Sequence, residues 1–284
     1  MQTLFKYGLG LVLAMTACTI YAEDNSALKP LEIGIVPYLS ARVLVTSYEP
    51  MRLYLEQTLG RPVKIYTAAG FKPFFLNTRQ GDYDLVITAA HFARIVQKEQ
   101  KFIPMVRYSA GGRALLVTTL ASPIKTARDL RAQVIALPDK ISLASIVCLT
   151  YLHENGLQSD TDFQLLEVPS FTSAILAVQN GDASAAISAK GVLLQMPQTL
   201  RESVRTIVDA GEYIPLVFLA HPRLGKKYID LLNTTLLKFG NETSEGKQFL
   251  TSTGFGSIIP ATAKDMSSLD RYIEETKRLL DKTP

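Results

Sequence analysis

A short segment occurs twice in this chain, once in each half, and it constrains the fold more than any other feature. Residues 81–91 read GDYDLVITAAH, and residues 181–190 read GDASAAISAK. Each copy is typical of a turn, a buried apolar strand and small residues that lead to a polar side chain. Ligands of open α/β sheets bind beyond the carboxyl ends of such strands. The repeat therefore predicts two α/β lobes that share a cleft, although Gly-Asp turns before apolar strands are common enough to match by chance.

The first 22 residues have the composition of a secretory signal rather than of a folded domain. Lys6 is their only charge, an apolar run follows at 7–17, and small residues come next, which is the order of such signals. The run is too short to span a membrane comfortably. Either Cys18, which ends a lipoprotein-like MTAC sequence, is the lipidated first residue, or the chain is cleaved after Ala22. We favour cleavage after Ala22 and, on both alternatives, expect an exported protein of the periplasm.

The composition argues against nucleic-acid binding, metal binding and catalysis. Loss of Lys6 with the signal lowers the formal net charge of +4 by one, and so small and dispersed a charge predicts no nucleic-acid partner. The three histidines lack the spacing of metal motifs, so we expect neither a metal nor another cofactor. Cys148 lies in an apolar run, where a buried small side chain is a better interpretation than a nucleophile. We therefore expect no enzymatic activity.

The chain that follows the signal, about 260 residues, is long enough for one or two domains. Predicted strands alternate with predicted helices along it, which is typical of parallel βαβ units. The alternation restarts near Ser122, and the last strand and helices are most economically returned to the first lobe. We predict two α/β lobes joined by two crossovers: lobe I at 27–119 and 214–284, lobe II at 120–213, and crossovers near 118–123 and 209–216.

Two helical stretches of the first lobe carry signals of their own. Residues 40–59 are predicted to be helical, with Pro50 marking a break or a restart at a first turn. Residues 263–280 are predicted to form one helix that closes the chain. Two lobes joined by crossovers can hinge shut on a ligand, so the cleft between them is the expected binding site.

Several short motifs occur along the chain in a specific order: VPYLSAR at 36–42, YEPM at 48–51, LGRPV at 59–63, GDYDLV at 81–86, SPIKTARDL at 122–130, AVQNGD at 177–182, HPRL at 221–224 and GFG at 254–256. In this order and spacing, residues 31–259 resemble the phosphate, phosphite and phosphonate (PhnD-like) type of periplasmic solute-binding protein of ABC importers. The resemblance implies a type II periplasmic-binding-protein fold, a small-molecule ligand in the cleft, and no chemistry. It also implies a membrane transporter as partner, either an ABC permease or another inner-membrane transporter, and we expect the protein itself to be a monomer.

The resemblance also implies where the ligand binds, because family members hold an oxyanion or phosphonate with helix N-terminal amides, hydroxyls and aromatic groups. Helix N-termini suit anions because their N–H groups are unpaired and the helix dipole is positive there. Carried over by position, the implied ligand-binding residues are Tyr38 after the first strand, His91 where relatives often have tyrosine, Ser142 and Ser145 in a serine-rich helix start, Ser170 and Phe171 at another helix start, and Ser188 and Lys190 after the repeated strand.

Most of these residues also have an ordinary structural explanation. His91 can cap a helix that faces solvent, and Lys190 can lie on a solvated helix face. Ser142 can cap its own helix, which is the commoner role of a serine at such a position. Tyr38 and Phe171 can be packing residues. The sequence leaves both interpretations of each residue open.

The chain departs from the family pattern in ways that reduce the number of anion donors. The serine-rich turn is diluted to ISLAS at 141–145, Phe171 stands where relatives carry histidine, and Ser184 stands where they carry an acidic residue. Ala89 and Ala90 replace larger polar neighbours. An anion taken out of water needs several converging donors. These changes therefore favour a second ligand class, a hydrophobic or amphipathic molecule such as a lipid or sterol-like compound in an apolar cleft.

The sequence leaves three functions open. The leading hypothesis is a periplasmic solute-binding protein that captures a phosphonate-like or oxyanion ligand and delivers it to a membrane transporter. The second is a periplasmic carrier of a hydrophobic or amphipathic ligand. The third is a ligand-sensing module for a signalling partner, which would have to be a separate protein because the chain carries no kinase segment of its own.

Overall fold

Strands alternate with helices through residues 29–110 and 112–282, the part of the chain that this computed structural model describes. The expected signal segment, with Cys18 and the cleavage position at Ala22, lies outside these residues. The strands form two separate sheets, and each sheet is the centre of one α/β lobe. The predicted fold class, two α/β lobes with a cleft between them, is thereby confirmed.

The first lobe is a six-stranded mixed sheet with seven helices among the described residues. Its strands are β1 (Leu31–Ile35), β2 (Val63–Tyr66), β3 (Leu85–Ala89), β4 (Ile103–Tyr108), β10 (Leu216–Ala220) and β11 (Ile258–Pro260). Its helices are α1 (Ala41–Leu59), α2 (Phe71–Gln80), α3 (Ala90–Glu99), α8 (Lys226–Glu242), α9 (Ser244–Thr253), α10 (Ala263–Ser268) and α11 (Ile273–Lys282). The strand order is β11-β4-β10-β3-β1-β2, with β1 parallel to β2 and β3, and β10 antiparallel to β3 and β4. The last two strands of the chain, β10 and β11, thus belong to the first sheet.

The second lobe is a five-stranded sheet in the order β7-β6-β8-β5-β9. Its strands are β5 (Arg113–Thr119), β6 (Val134–Leu137), β7 (Gln164–Glu167), β8 (Ala185–Ala189) and β9 (Val204–Glu212). Its helices are α4 (Leu143–Glu154), α5 (Phe171–Asn180), α6 (Lys190–Gln195) and α7 (Gln198–Glu202). The strand β6 is parallel to β7 and β8, whereas β5 is antiparallel to β8 and β9.

The doubled segment is part of one helix–turn–strand unit that occurs in both lobes. The helix α2 begins at Phe71 and α5 at Phe171, and each ends at a glycine in the left-handed region, Gly81 with φ of 81° and Gly181 with φ of 84°. Residues with a side chain rarely adopt this conformation, which explains the glycine at both positions. The strands β3 and β8 that follow are buried along their whole length. The sequence repeat therefore marks the same unit in each lobe.

The chain passes from the first lobe to the second between Tyr108 and Arg113, earlier than the predicted 118–123. The reason is that β5 pairs with β8 and β9 in the second sheet, so residues up to 119 do not all belong to the first lobe. Strand pairing between distant segments decides this boundary, and the local apolar pattern of β5 does not reveal its partners. The return passage lies between Glu212 at the end of β9 and Leu216 at the start of β10.

The two passages between the lobes lie against each other and form a narrow hinge. The Tyr213 N–H donates to the carbonyl oxygen of Gly112 at 2.8 Å. A Cβ atom on residue 112 would lie 2.0 Å from the Tyr213 carbonyl oxygen and 3.0 Å from Pro215 Cδ. Only glycine permits this approach, so Gly112 sets how closely the two hinge segments can pair.

The helix α1 continues through Pro50, and the predicted break there is wrong. Leu44, Tyr48, Met51 and Leu55 lie at helical spacing on both sides of the proline and are all buried. Because both halves of the helix pack one apolar face into the core, tertiary packing offsets the hydrogen bond that proline removes. The structure also contains α6, α7 and β11, which the sequence did not predict, and it divides the predicted closing helix into α10 and α11.

Asp84 attaches the first copy of the repeat to the rest of its lobe. Its carboxylate accepts hydrogen bonds from the Glu32 N–H at 3.1 Å and from Arg223 Nε at 2.8 Å. At the corresponding position of the second copy, the Ser184 hydroxyl donates to Gln133 Oε1 at 2.6 Å. Serine at position 184, where relatives carry an acidic residue, therefore changes a structural contact of the turn. It removes no ligand donor from the cleft.

Replacing Asp84 with alanine should lower the free energy of unfolding by about 2 kcal/mol, because the Glu32 amide and the Arg223 guanidinium lose their acceptor. Urea denaturation followed by circular dichroism measures the change. Asp82→Ala is the matched control, since Asp82 is exposed, and it should change the same quantity by less than about 0.5 kcal/mol. Equal effects of the two substitutions would contradict the role given to Asp84.

Candidate functional site

The two copies of the repeated unit meet at a cavity between the lobes, next to the hinge. Phe71 and Phe171 begin corresponding helices, Ala89 and Ala189 end corresponding strands, and all four line the cavity. The remaining lining residues are Val36, Tyr38, Ser142, Leu143, Ala144, Val192, Tyr213, Pro215, Leu216 and Phe255. The cavity thus lies beyond the carboxyl ends of β3 and β8, where open α/β sheets bind their ligands.

The wall of the cavity is apolar and uncharged. None of the described residues that line it has a charged side chain, and most are aliphatic or aromatic. Its polar side chains are the hydroxyls of Tyr38, Ser142 and Tyr213, and burial raises the pKa of both tyrosines, so they stay neutral. The cavity volume is about 40 Å³, far below the roughly 300–1,000 Å³ of ordinary ligand pockets. The lobes are therefore closed on each other, and a larger ligand has to part them.

Tyr38 makes one of the hydrogen bonds that hold the lobes together. Its hydroxyl donates to Gln195 Oε1 in α6 of the second lobe at 3.0 Å, and it lies 3.4 Å from the Tyr48 hydroxyl. Gln195 Nε2 in turn donates to the carbonyl oxygen of Thr253 in the first lobe at 3.3 Å. Gln195 thus contacts two segments of the opposite lobe. Gln195 could not be identified from the sequence, because α6 itself was not predicted.

His91 makes a second bond between the lobes. It is fully buried at the start of α3, its ring stacks on Phe92 with centroids 4.2 Å apart, and its Nε2 lies 2.8 Å from the carbonyl oxygen of Ile141 in the second lobe. A carbonyl oxygen can only accept, so Nε2 carries the proton. Burial lowers the pKa of His91 from 6.5 to about 4, against a smaller opposing effect of the Ile141 bond, so the ring is neutral. The helix cap facing solvent, one of the two interpretations from sequence, is wrong.

The serines expected to bind an anion mostly bond their own helices. Ser142 is the N-cap residue that precedes α4, and its hydroxyl accepts from the Ser145 N–H at 3.1 Å and donates to Ser145 Oγ at 2.7 Å. Ser170 is the N-cap residue that precedes α5 and accepts from the Ser173 N–H at 3.2 Å. The ordinary capping role of Ser142 is therefore confirmed. Ser188 differs, because it is fully buried on β8 and its hydroxyl has no hydrogen-bond partner among the residues that the structure describes.

The structure separates Lys190 from the other predicted residues. Tyr38, Ser142 and Phe171 line the cavity between the lobes, whereas Lys190 is exposed and lines a different cavity of about 420 Å³. That second cavity also contains Arg107 among its lining residues. Tyr213 and Pro215 of the hinge line both cavities.

The loop before α4 carries a negative rather than a positive group toward the helix start. Asp139 Oδ1 accepts from the Ile141 N–H at 3.0 Å, and burial raises the pKa of this carboxyl group. Lys140 in the same loop forms an ion pair with Glu167, with 3.1 Å between Nζ and Oε1. This loop therefore offers no unpaired positive charge that could stabilise an anionic ligand at the start of α4.

Cys148 and the candidate metal ligands can be judged directly within the described residues. Cys148 is fully buried, and burial raises the pKa of its thiol, which keeps it protonated and unreactive. No three His, Cys, Asp or Glu side chains cluster as metal ligands within residues 29–110 and 112–282. No helix in this part of the chain has the length and apolar character needed to cross a membrane.

The chain matches a family and several solved structures. A family model described as "ABC transporter, phosphonate, periplasmic substrate-binding protein" matches residues 33–266, and a search of curated proteins finds no match. PhnD1 of Prochlorococcus marinus, solved in complex with methylphosphonate, has a TM-score of 0.76 and 19% identity, over 90% of this chain and 99% of that one. A binding-protein component of an ABC phosphonate transporter from Pseudomonas aeruginosa has a TM-score of 0.76 and 16% identity, over 89% of this chain and 90% of that one. The aliphatic sulphonate binding protein SsuA of Escherichia coli has a TM-score of 0.60 and 18% identity, over 89% and 94% respectively.

These findings confirm two inferences made from the sequence. The family match confirms the resemblance that the ordered motifs indicated. The structural similarities confirm the type II periplasmic-binding-protein fold with two lobes. At identities below 20% they bear on the fold and not on the ligand of this chain.

Replacing Gln195 with alanine should open the cleft, because it removes hydrogen bonds to both Tyr38 and the Thr253 carbonyl. Two neutral bonds of about 1 kcal/mol each correspond to a shift of at least about tenfold toward the open form. Small-angle X-ray scattering should record a larger radius of gyration. Gln198→Ala, at an exposed position on α7, is the matched control and should scatter like the unaltered protein. Unchanged scattering of both variants would mean that Gln195 does not hold the lobes.

His91 should make the protein less stable in acid. Its pKa is about 4 in the folded protein and close to 6.5 in the unfolded chain, so the unfolded chain takes up a proton first as the pH falls. The contribution is intact above pH 6.5 and is lost progressively toward pH 4, by up to about 3 kcal/mol. The difference in free energy of unfolding between the unaltered protein and His91→Gln, measured in urea at about pH 7 and about pH 4.5, isolates this effect. A difference that does not change with pH would refute it.

Proposed function

Because the chain belongs to the family of phosphonate-type periplasmic substrate-binding proteins of ABC transporters, we propose that it binds an uncharged, largely apolar ligand between its lobes. The observation that carries this proposal is the cavity wall, on which the described residues include no charged side chain. The protein binds the ligand without altering it and delivers it to a membrane transporter, an ABC permease or another inner-membrane transporter. The protein captures and releases the ligand by closing and opening its lobes about the hinge.

The polar groups near the cleft support an uncharged ligand. The hydroxyls of Ser142 and Ser170 are bonded within their own helix starts, and the His91 ring is neutral. Lys190 lies in another cavity, and Asp139 adds a negative group before α4. A desolvated anion that meets few donors and no counter-charge is costly to bind, whereas an apolar ligand loses nothing by the same environment.

The closed cleft also indicates how such a ligand would be held. Phe71 of the first lobe and Phe171 and Val192 of the second line the same small cavity in the closed form. If a ligand parts the lobes, it covers these apolar surfaces in place of the opposite lobe. Burial of apolar area then stabilises the loaded form at about 25 cal/mol per Å². The lobes exchange contact with each other for contact with the ligand.

A phosphonate is the competing ligand, because PhnD1, which shares the fold, was solved with methylphosphonate. Direct measurement can distinguish the two ligand hypotheses. Native mass spectrometry of protein taken from its own periplasm without detergent should show a bound mass that organic solvent extracts. Calorimetry with methylphosphonate should give no binding heat. Strong heat with methylphosphonate and no extractable mass would overturn the proposal and favour the phosphonate.

Phe171→Ala should reduce the amount of co-purified ligand about tenfold, because the substitution removes a large apolar side chain from the cavity wall. The ratio of loaded to unloaded protein in native mass spectra measures the change. Leu176→Ala is the matched control, since Leu176 lies on the same helix but is 40% exposed and is not part of the cavity wall. The proposal predicts normal loading of this variant. Equal loading of both variants would place the ligand elsewhere.

A further inference from the structure

The cavity of about 420 Å³ that Lys190 lines is rich in basic side chains. Arg107, Arg113, Lys190 and Arg271 line it, against the single acidic residue Glu212. Its volume lies within the roughly 300–1,000 Å³ of ordinary ligand pockets, whereas the apolar cavity between the lobes measures about 40 Å³. A concave surface lined mainly by one sign of charge concentrates ions of the opposite sign. The function proposed above gives this basic cavity no role.

Both lobes contribute cations to the basic cavity. Arg107 belongs to β4, and Arg271 lies between α10 and α11, so both come from the first lobe. Arg113 begins β5 and Lys190 begins α6, so both come from the second lobe. The hinge also contributes to the wall, through Tyr213. A ligand in this cavity would therefore contact the two lobes at once.

Two of the four cations already have carboxylate partners. Arg107 Nη2 lies 2.9 Å from Asp265 Oδ1. Arg113 Nη1 lies 2.8 Å from Glu212 Oε1, and Arg113 Nε forms a second ion pair with Asp209. The charges of these two arginines are thus compensated within the protein. Any attraction for an added anion has to come from the other two cations.

Lys190 and Arg271 are both exposed, and neither forms an ion pair within residues 29–110 and 112–282. The ammonium group of Lys190 can donate three hydrogen bonds. The guanidinium carbon of Arg271 lies 4.7 Å from the centre of the Tyr272 ring, and this contact leaves its N–H groups able to donate. Arg271 also lines a neighbouring cavity with Glu154 and Glu275, but it is paired with neither of them in this part of the chain.

We propose that the basic cavity binds a small dicarboxylate, with one carboxylate at Lys190 and the other at Arg271. The planar fork of an arginine matches a carboxylate, and the ammonium group of a lysine acts as a point charge. One unpaired cation comes from each lobe, so an anion with two separated charged groups suits the pair. The volume of the cavity leaves room for a short chain between those groups. This site is additional to the apolar ligand and goes beyond the proposed function.

Three probes test the inference: glutarate, pentanoate and methylphosphonate. Glutarate and pentanoate have the same five-carbon chain, but pentanoate has one carboxylate, and methylphosphonate carries its charge on one compact group. Calorimetry at constant ionic strength gives the affinities. We expect glutarate to bind about tenfold more tightly than pentanoate, because only glutarate pairs with both cations. Methylphosphonate should give no binding heat. Added salt should weaken glutarate binding, since both cations are exposed.

Four variants assign the glutarate site. Lys190→Gln and Arg271→Gln should each lower the affinity for glutarate about tenfold, to that of pentanoate. Lys238→Gln is the matched control, because Lys238 is exposed on α8, lines neither cavity and changes the net charge by the same amount. It should leave glutarate binding unchanged. Phe171→Ala, which alters the apolar cavity only, should also leave it unchanged.

The outcomes separate this inference from the proposed function. Equal affinity of the unaltered protein for glutarate and pentanoate, binding of none of the probes, or equal losses in Lys190→Gln and Lys238→Gln would overturn the dicarboxylate site. The apolar ligand would still stand, because co-purified mass tests it independently. Methylphosphonate heat that disappears in Lys190→Gln would assign the basic cavity to a compact oxyanion instead. Loss of glutarate binding in Phe171→Ala alone would place an anion between the lobes and overturn both proposals.

Discussion

Closure of the two lobes removes the cleft from water, and this desolvation is the constraint on which the rest of the site depends. Every polar group in the closed cleft has to be neutral and paired, or else it weakens the closed form. Tyr38, the Nε2–H group of His91 and the Ser142 hydroxyl satisfy this condition in different ways, through raised or lowered pKa values and through bonds to amide, carbonyl and hydroxyl groups. Within the described residues, Nδ1 of His91 and the Ser188 hydroxyl are exceptions, because both are buried without a hydrogen-bond partner.

The same constraint explains how one unit, used twice, makes an apolar cavity. In each copy of the unit, the helix begins with a phenylalanine and the buried strand that follows it ends with an alanine. The two lobes therefore present similar apolar faces to each other. The paired hinge at Gly112 and Tyr213 keeps the faces in register, and Gln195 and His91 bond across them. Relatives with the same fold can host anions because function depends on the residues of a site and not on the fold that carries it.

Much of the fold was predictable because its signals are local. The left-handed glycines at 81 and 181, the fully apolar strands after them and the helix starts at Phe71 and Phe171 are all recorded within a few residues of sequence. Local signals failed where distant contacts decide the outcome. The strand β5 was assigned to the first lobe although its partners lie in the second, and α1 continues through Pro50 because its buried face packs against the core on both sides of it.

The sequence by itself determined the repeated unit, the family and the excess of apolar residues at the strand ends, since each of these is written in neighbouring residues. Only the tertiary structure decided which polar side chains belong to the cleft. Ser188 is buried and Lys190, two residues later, is exposed, because β8 ends between them and the chain turns outward into α6. Likewise, no residue near His91 in the sequence predicts that its ring forms a hydrogen bond with the carbonyl oxygen of Ile141. Hydrogen bonds between the lobes depend on how two folded surfaces meet, and that geometry exists only once both lobes have formed.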